Sequence, residues 1–395
     1  MKKYQRTVYL DNNATTRVDN KVTEYMNHYF LQDYAVASSQ FSHTPGIKAR
    51  DAVEKARSII LGKLRSGPGD QFIFTSGGAE SNNMALKGLA LTNKDPSRKK
   101  IIISGIEHFS VLNTAKALEK SGFEVKEVKV DGQGFIDLEH LQSLLDEKTL
   151  LVSIIYANHE VGTIQDMPKI SDIVHQKGAL LHTDAAIAFL QTPIDVQKQN
   201  IDLLSLSAHK IHGPKGSGGL FIKKNIPVQK ILDGGYQENN LRPGTENVPG
   251  IAGFGKAVEI FKEKDLEKVK GLRDYLYNGL GSRIEHVLIN GSKDLSKRVA
   301  NNLNVSFEYI EGESVVLHLD MRGIAVITGS ACFSRALQAS HVLLAMGFTH
   351  ERAHGSIKYS LSKYLTRADM DYTIKQTKEV VEKLRDLSPL KSTTF

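Results

Sequence analysis

At 395 residues with 41% hydrophobic side chains, the chain can fill the cores of roughly two or three ordinary domains and is no small stapled scaffold. A charged fraction of 24% without a long unbroken apolar run excludes disorder and a membrane-spanning helix, and the formal charge of +7 comes from Lys and Arg scattered among nearly as many acids, a solvated surface rather than a nucleic-acid face. One cysteine leaves neither an intramolecular disulfide nor a multi-cysteine metal site, and the stretch Met1 to Leu10 has no signal-peptide core, so a cytoplasmic protein is expected.

The predicted elements begin with an amphipathic helix over Lys48 to Leu61, where Ala49, Ala52, Val53, Ala56, Ile59 and Ile60 fall at helical spacing with Lys and Arg opposite. Short apolar runs follow at Phe72 to Thr75, Ile101 to Ser104, Leu150 to Ile155, Ala179 to Thr183, Leu203 to Ser207 and Gly219 to Ile222. Helical patterns or Gly and Pro separate them, which is how buried strands of a mostly parallel sheet read. The alternation predicts an α/β fold. From Ile251 to about Leu280 the spacing predicts one long helix rich in Lys and Glu. Beyond it, strands at Leu303 to Phe307 and Ile324 to Thr328 alternate with helices at Glu313 to Asp320 and Asp369 to Leu387. That is the pattern of a second, smaller domain, which the N-terminal residues can join.

Polar groups gather where the strands end. Thr75-Ser76-Gly77-Gly78-Ala79-Glu80-Ser81-Asn82-Asn83 turns from strand to helix, and free N–H groups at Gly78 and Ala79 suit a phosphate, although Gly-Gly is common in such turns. His108, in Ile106-Glu107-His108-Phe109-Ser110, is placed to stack on a planar ring or to move protons near neutral pH. Asn158, in Tyr156-Ala157-Asn158-His159-Glu160, can hydrogen-bond a phenolic oxygen. Each serves equally well as a cap. Asp184, in Leu181-His182-Thr183-Asp184-Ala185-Ala186, can face a pyridinium nitrogen or cap a helix.

Lys210 lies in Ser205-Leu206-Ser207-Ala208-His209-Lys210-Ile211-His212-Gly213-Pro214. A lysine directly after a strand and before a Gly/Pro turn reaches a pocket at the carboxyl edge of the sheet, where a Schiff-base lysine belongs. A lone lysine in such a turn is ordinarily a surface residue. The company of His108, Asn158 and Asp184 at neighbouring strand ends weighs against that, because ligands bind along this edge. Ser207 and His209 can donate to the same phosphate, as can Thr245 in Arg242-Pro243-Gly244-Thr245-Glu246-Asn247. Cys332 lies among small residues from Thr328 to His341, outside any apolar periodicity, as an accessible thiol would.

Taken together, the chain resembles the IscS/NifS branch of the cysteine desulfurases, among the fold-type I enzymes that use pyridoxal 5'-phosphate (PLP). The likeness runs from Tyr9-Leu10-Asp11-Asn12-Asn13-Ala14-Thr15-Thr16 to Leu384-Arg385-Asp386-Leu387-Ser388-Pro389-Leu390. It implies a large PLP-binding α/β domain over 15–260, with a mostly parallel seven-stranded sheet, and a smaller α+β domain over 1–14 and 261–395 that carries the cysteine loop. It implies that Lys210 holds the cofactor, Asp184 pairs with its ring nitrogen, His108 stacks on the ring and assists catalysis, and Asn158 binds the phenolic oxygen beside the substrate. Gly78, Ala79, Ser207, His209 and the Thr245 position of a partner subunit correspond to phosphate ligands, and a shared site implies a homodimer. Cys332 corresponds to the cysteine that takes sulfur from L-cysteine as a persulfide while L-alanine leaves. The stretch Gly329 to His341 resembles the long-loop class, which hands sulfur directly to an iron–sulfur scaffold or another acceptor protein, for cluster assembly or tRNA thiolation. The Cys332 position can also hold a cluster in transit. No resident metal, direct nucleic-acid contact or membrane is implied. A free thiol with pKa about 8.5 is only a few per cent ionised at neutral pH, so His108 or the substrate's own groups must help deprotonate Cys332.

Four positions depart from the family pattern. Ala79 stands for a threonine, Ile187 for a glutamine near the cofactor's oxygen, Lys358 for the arginine that clamps the substrate carboxylate, and Ala37 with Ser38 for an Asn-Pro pair. At about 0.5–1.5 kcal/mol per hydrogen bond, the first two loosen PLP without abolishing its binding. Lysine keeps the charge of arginine and loses the bidentate fork. Two alternatives follow: a PLP lyase acting on another sulfur or selenium amino acid, and a weakly active sulfur-trafficking homologue.

Overall fold

Seven strands make one sheet in the order Gln71–Thr75, Gly218–Ile222, Leu203–Ser207, Leu180–Asp184, Thr149–Ser153, Lys100–Ser104, Glu124–Val128. Gly218–Ile222 is antiparallel to both neighbours, and every other pairing is parallel. The computed structural model describes residues 7–329 and 339–388, so Cys332 lies outside the described residues.

The strands Lys100–Ser104, Thr149–Ser153 and Leu203–Ser207 are buried at every position, as continuous apolar runs covered on both faces must be. Successive side chains leave the sheet on opposite faces, so the neighbours Leu203 and Leu204 enter different cores. One core gathers Leu204, Leu181 and Phe221 under the helices Thr44–Lys63 and Val248–Glu259; the other gathers Leu203, Ile101 and Leu151 under Gly78–Thr92 and Phe109–Glu119.

The smaller α+β domain has its own core, which includes Leu276, Leu280, Val305, Tyr359 and Ile374. Its antiparallel sheet runs Ser356–Ser360, Asn302–Phe307, Val287–Asn290, and the helices Glu263–Arg283 and Arg367–Leu387 pack on it. The N-terminal strand Val8–Tyr9 pairs in parallel with Ile324–Ala325, and Asp11 then bridges to Ser360. This route carries residues 12–16 along the small domain and onto the lysine turn.

Three expectations are corrected. The single helix from Ile251 to about Leu280 is two, Val248–Glu259 and Glu263–Arg283, with Lys262 extended at φ −130° and ψ 128°. The break falls where the chain leaves one core for another: Ala257 and Val258 belong to the large domain and Val269 and Leu272 to the small one, and no single helix could turn its apolar face to both. The strand expected over Ile324 to Thr328 shortens to Ile324–Ala325 with one bridge at Ile327. Glu124–Val128 was not expected, because its sequence Glu-Val-Lys-Glu-Val and its mostly exposed side chains are those of a sheet edge. No helix among the described residues is long and apolar enough to cross a membrane.

Candidate active site

The lysine turn is the centre. Leaving a fully buried strand at Ser207, the chain makes one 3₁₀ turn over Ala208–Lys210. Lys210 Nζ donates to the Asn13 carbonyl and, at 2.9 Å, to the Ala14 carbonyl. The N-terminal segment is stitched to the same turn. Thr16 donates to His209 O from its N–H at 3.0 Å and its hydroxyl at 2.9 Å, and Thr16 Oγ1 accepts the His212 N–H at 2.8 Å. Asn13 extends the link, its Nδ2 donating to His159 O at 3.2 Å and its Oδ1 accepting from Asn301 Nδ2 at 3.0 Å.

Beside the lysine stand polar atoms that the protein leaves unsatisfied. Ser207 Oγ, His209 Nδ1 and Ser217 Oγ are buried without a hydrogen-bond partner, and each such group costs about 1–3 kcal/mol. Gly78, which opens the helix Gly78–Thr92, lies against Ser207: a Cβ there would be 3.8 Å from Ser207 Cβ. The unpaired N–H groups of that first turn therefore meet an unpaired hydroxyl, as an anion such as a phosphate requires. Burial above all, with Lys210 and Lys215 adding to it, pulls the His209 pKa down to about 4. Its neutral ring can still donate one hydrogen bond. The donor set thus fits a phosphate ester. Ala79 and Thr245 are both exposed.

Asp184, 6% exposed, closes the neighbouring strand. One carboxylate oxygen accepts Asn82 Nδ2 at 2.7 Å, and the other accepts the Ala186 N–H at 2.9 Å. Asn82 also donates to Ser110 Oγ at 2.8 Å, so a single buried amide ties the aspartate to the histidine turn. His108 caps the helix Phe109–Glu119, its Nδ1 accepting the Ser110 N–H at 3.1 Å. That bond places the neutral ring's proton on Nε2. Burial lowers the His108 pKa, Asp184 opposes the fall, and the charges of Lys210 and Lys358 reinforce it.

Asn158 is fully buried. Its Oδ1 accepts the N–H groups of Glu160 and Val161 at 2.9 Å each, and Nδ2 donates to Ile106 O at 2.9 Å. The cap that the sequence left open is therefore made, and it uses one of the two amide hydrogens. The His159 ring meets His108 edge-on at 5.4 Å. Lys358, 8% exposed, comes from the small-domain strand Ser356–Ser360. Its charge acts on Asp11, His159 and Glu160. Burial raises the Asp11 pKa, and Lys358 and Lys210 counter it.

Of the substituted positions, Ile187 and Ala37 are packed in the large-domain core and present no polar group. Sequence reasoning missed Asn13, Asn82, Glu107 and Glu160. Glu107 and Glu160 are buried, and the signal for both was a glutamate beside a histidine in the turn that follows an apolar strand. Among the described residues no group of His, Cys, Asp and Glu is arranged to hold a metal.

Comparison with known proteins gives a consistent result. The class-V aminotransferase family model matches residues 8–373. The chain is 44% identical over 390 residues to the cysteine desulfurase IscS of Dictyoglomus turgidum, covering 98% of each chain. It is 44% identical over 385 residues to cysteine desulfurase IscS 1 of Archaeoglobus fulgidus, covering 97% of this chain and 99% of that one. Among solved structures, a NifS-like protein superposes with a TM-score of 0.89 at 40% identity, over 96% of this chain and 100% of the other. SspA in complex with cysteine gives 0.80 at 33% identity, over 91% and 100%.

Proposed function

Because the chain belongs to the class-V aminotransferase family, we propose that it is a PLP-dependent cysteine desulfurase, which takes sulfur from L-cysteine onto Cys332 and releases L-alanine. The observation that carries the reading is the unsatisfied pair Ser207 Oγ and His209 Nδ1 beside a lysine at the carboxyl edge of a fold-type I sheet. Relatives that bear the name cysteine desulfurase along their full length support it, and a cysteine complex of a similar fold supports the substrate.

In this reading Gly78, Ala79, Ser207 and His209 hold the phosphate, with Thr245 serving a partner's site, and Asp184 holds the ring nitrogen. Lys210 attaches the cofactor, and PLP, when bound, supplies the electron sink that lets a Cα proton leave. The Lys210 amine moves that proton. Lys358 binds the substrate carboxylate, and Asn158 directs its remaining amide N–H into the site. His108, neutral with its proton on Nε2 and its Nδ1 lone pair taken by the Ser110 N–H, offers a hydrogen bond rather than a free base, so deprotonation of the Cys332 thiol falls to the substrate's own groups. The thiolate then attacks the substrate sulfur: the sulfur–sulfur bond forms as the carbon–sulfur bond breaks, the electron pair stays on the carbon, which is protonated and leaves as L-alanine, and the sulfur remains on Cys332 as a persulfide.

A homodimer accords with the exposed large side chains Phe30, Leu31, Tyr34 and Phe41, since exposed apolar surface is a common mark of a protein–protein contact. A cytoplasmic enzyme that passes sulfur to an iron–sulfur scaffold or another acceptor protein completes the reading, with 15–260 as the PLP-binding domain and 1–14 with 261–395 as the domain that carries the thiol. The test is to mix the purified protein with PLP, L-cysteine and dithiothreitol, which reduces the persulfide to thiol and sulfide, and to measure alanine and sulfide. Formation of both in step is expected; absence of alanine overturns the proposal.

A further inference from the structure

Glu160 is 2% exposed, and none of the roles above uses its side chain. Its backbone is fixed in the Asn158 turn: the N–H donates to Asn158 Oδ1 at 2.9 Å, and the carbonyl accepts from Asn302 Nδ2 at 3.0 Å and Asn304 Nδ2 at 3.3 Å. The carboxyl group reaches a distant part of the chain. Ser340 Oγ donates to Oε2. Gly329 lies so close that a Cβ would collide with Oε1 and stand 3.0 Å from Ser340 Cβ. The two residues flank the stretch 330–338 that contains the only cysteine.

The far flank is fastened twice more to the site. Ser340 Oγ accepts the Leu343 N–H at 3.2 Å and so caps the helix His341–Ala345. His341 Nε2 bonds Glu107 O at 3.0 Å, and its ring lies 4.6 Å from that of Phe109. Glu107 and Phe109 bracket His108. A carboxyl group taken out of water costs stability unless it is compensated. Here the compensating groups are a hydroxyl from the flank and the charge of Lys358. An apolar residue would fill the space at lower cost and would hold neither flank.

We propose that Glu160 is a positioning residue for the sulfur-accepting thiol: one buried carboxyl group binds Ser340 and packs against Gly329, so that both flanks of the stretch 330–338 are set against the Asn158 turn. The proposal rests on the desulfurase reading for its purpose and on Glu160 for its geometry. Pinning both ends shortens the reach of a tethered group and raises its effective concentration near its target.

The experiment compares the full-length holoenzyme with Glu160→Ala, Ser340→Ala and Glu160→Gln. Two quantities are read: the rate at which iodoacetamide alkylates the single cysteine, and kcat and KM for alanine formation from L-cysteine. Ser340→Ala and Glu160→Ala should each change the alkylation rate by about threefold or more and lower kcat about tenfold with KM within about twofold. Glu160→Gln should recover part of the loss, because an amide oxygen still accepts the Ser340 hydroxyl. If Glu160→Ala does not fold, Ser340→Ala carries the test with the carboxyl group intact. Alkylation and kcat within about twofold of the unaltered protein in both alanine variants overturn the proposal, as does a loss confined to KM. Failure of the unaltered protein to make alanine would overturn the desulfurase reading alone, because the alkylation rates still decide what Glu160 does.

Discussion

Replacing Glu107 with glutamine should remove a pH dependence from the stability of the fold. Glu107 is 0% exposed; its Oε1 accepts the Ser104 hydroxyl at 2.6 Å and the Ile155 N–H at 2.5 Å, and Oε2 has no partner. Burial above all, with the Asp184 charge adding to it, outweighs those two hydrogen bonds and pushes the pKa up from 4.5 to about 8. Between those values the folded chain keeps a proton that the unfolded chain has released, so stability falls as pH rises, by at most about 1.4 kcal/mol per pH unit. From pH 5 to pH 8 that amounts to a loss on the order of 3 kcal/mol, which levels off below the lower value. The variant keeps an oxygen for both donors and cannot titrate. Urea denaturation of the two proteins at pH 5, 6.5 and 8, at constant ionic strength, should show the parent losing stability relative to the variant across this range. Parallel profiles would mean that the folded protein already holds Glu107 ionised, and the reasoning from burial would be refuted.

Lys210→Ala should lose the absorbance near ~420 nm that PLP gives on binding a lysine amine, and alanine formation with it; a spectrum with added PLP checks the first and amino-acid analysis the second. Asn82→Ala removes a hydrogen bond to the Asp184 carboxylate, worth about 1.5–3 kcal/mol. PLP should then dissociate roughly 10- to 100-fold more readily, as followed by the loss of colour on dialysis. Cys332→Ala should keep the colour and show no persulfide by mass spectrometry after incubation with L-cysteine.

Six strands of the sheet were legible because each is a run of apolar residues closed by a turn, and such runs have few other stable places. The placement of Lys210, Asp184, His108 and Asn158 along one edge was legible because each lies at or shortly after the end of such a run. The carboxyl groups of Glu107 and Glu160 were not, because a glutamate after a strand is ordinarily solvated, and only the packing of Ser104, Ile155, Gly329 and Ser340 around them removes the water. The break at Lys262 was hidden for a similar reason: neither Gly nor Pro stands between Gly255 and Gly271 to mark it, and the interruption comes from the separation of two cores that local spacing does not record. The edge strand Glu124–Val128 carries charge on its open side, which in one dimension reads as loop.

The antiparallel strand Gly218–Ile222 has a consequence for the lysine. It returns directly beside the strand that precedes Lys210, pairing Gly218 with Ser207 and, on its other side, with Thr75. Two glycines make this possible: a Cβ on Gly218 would stand 2.5 Å from the Gly77 Cα, and one on Gly219 would run into the Phe72 ring. Where the neighbouring parallel strands need wide crossovers, the Lys210 amine rides on a connection moored at both feet. An insertion between Ser207 and Gly218 should therefore displace the amine.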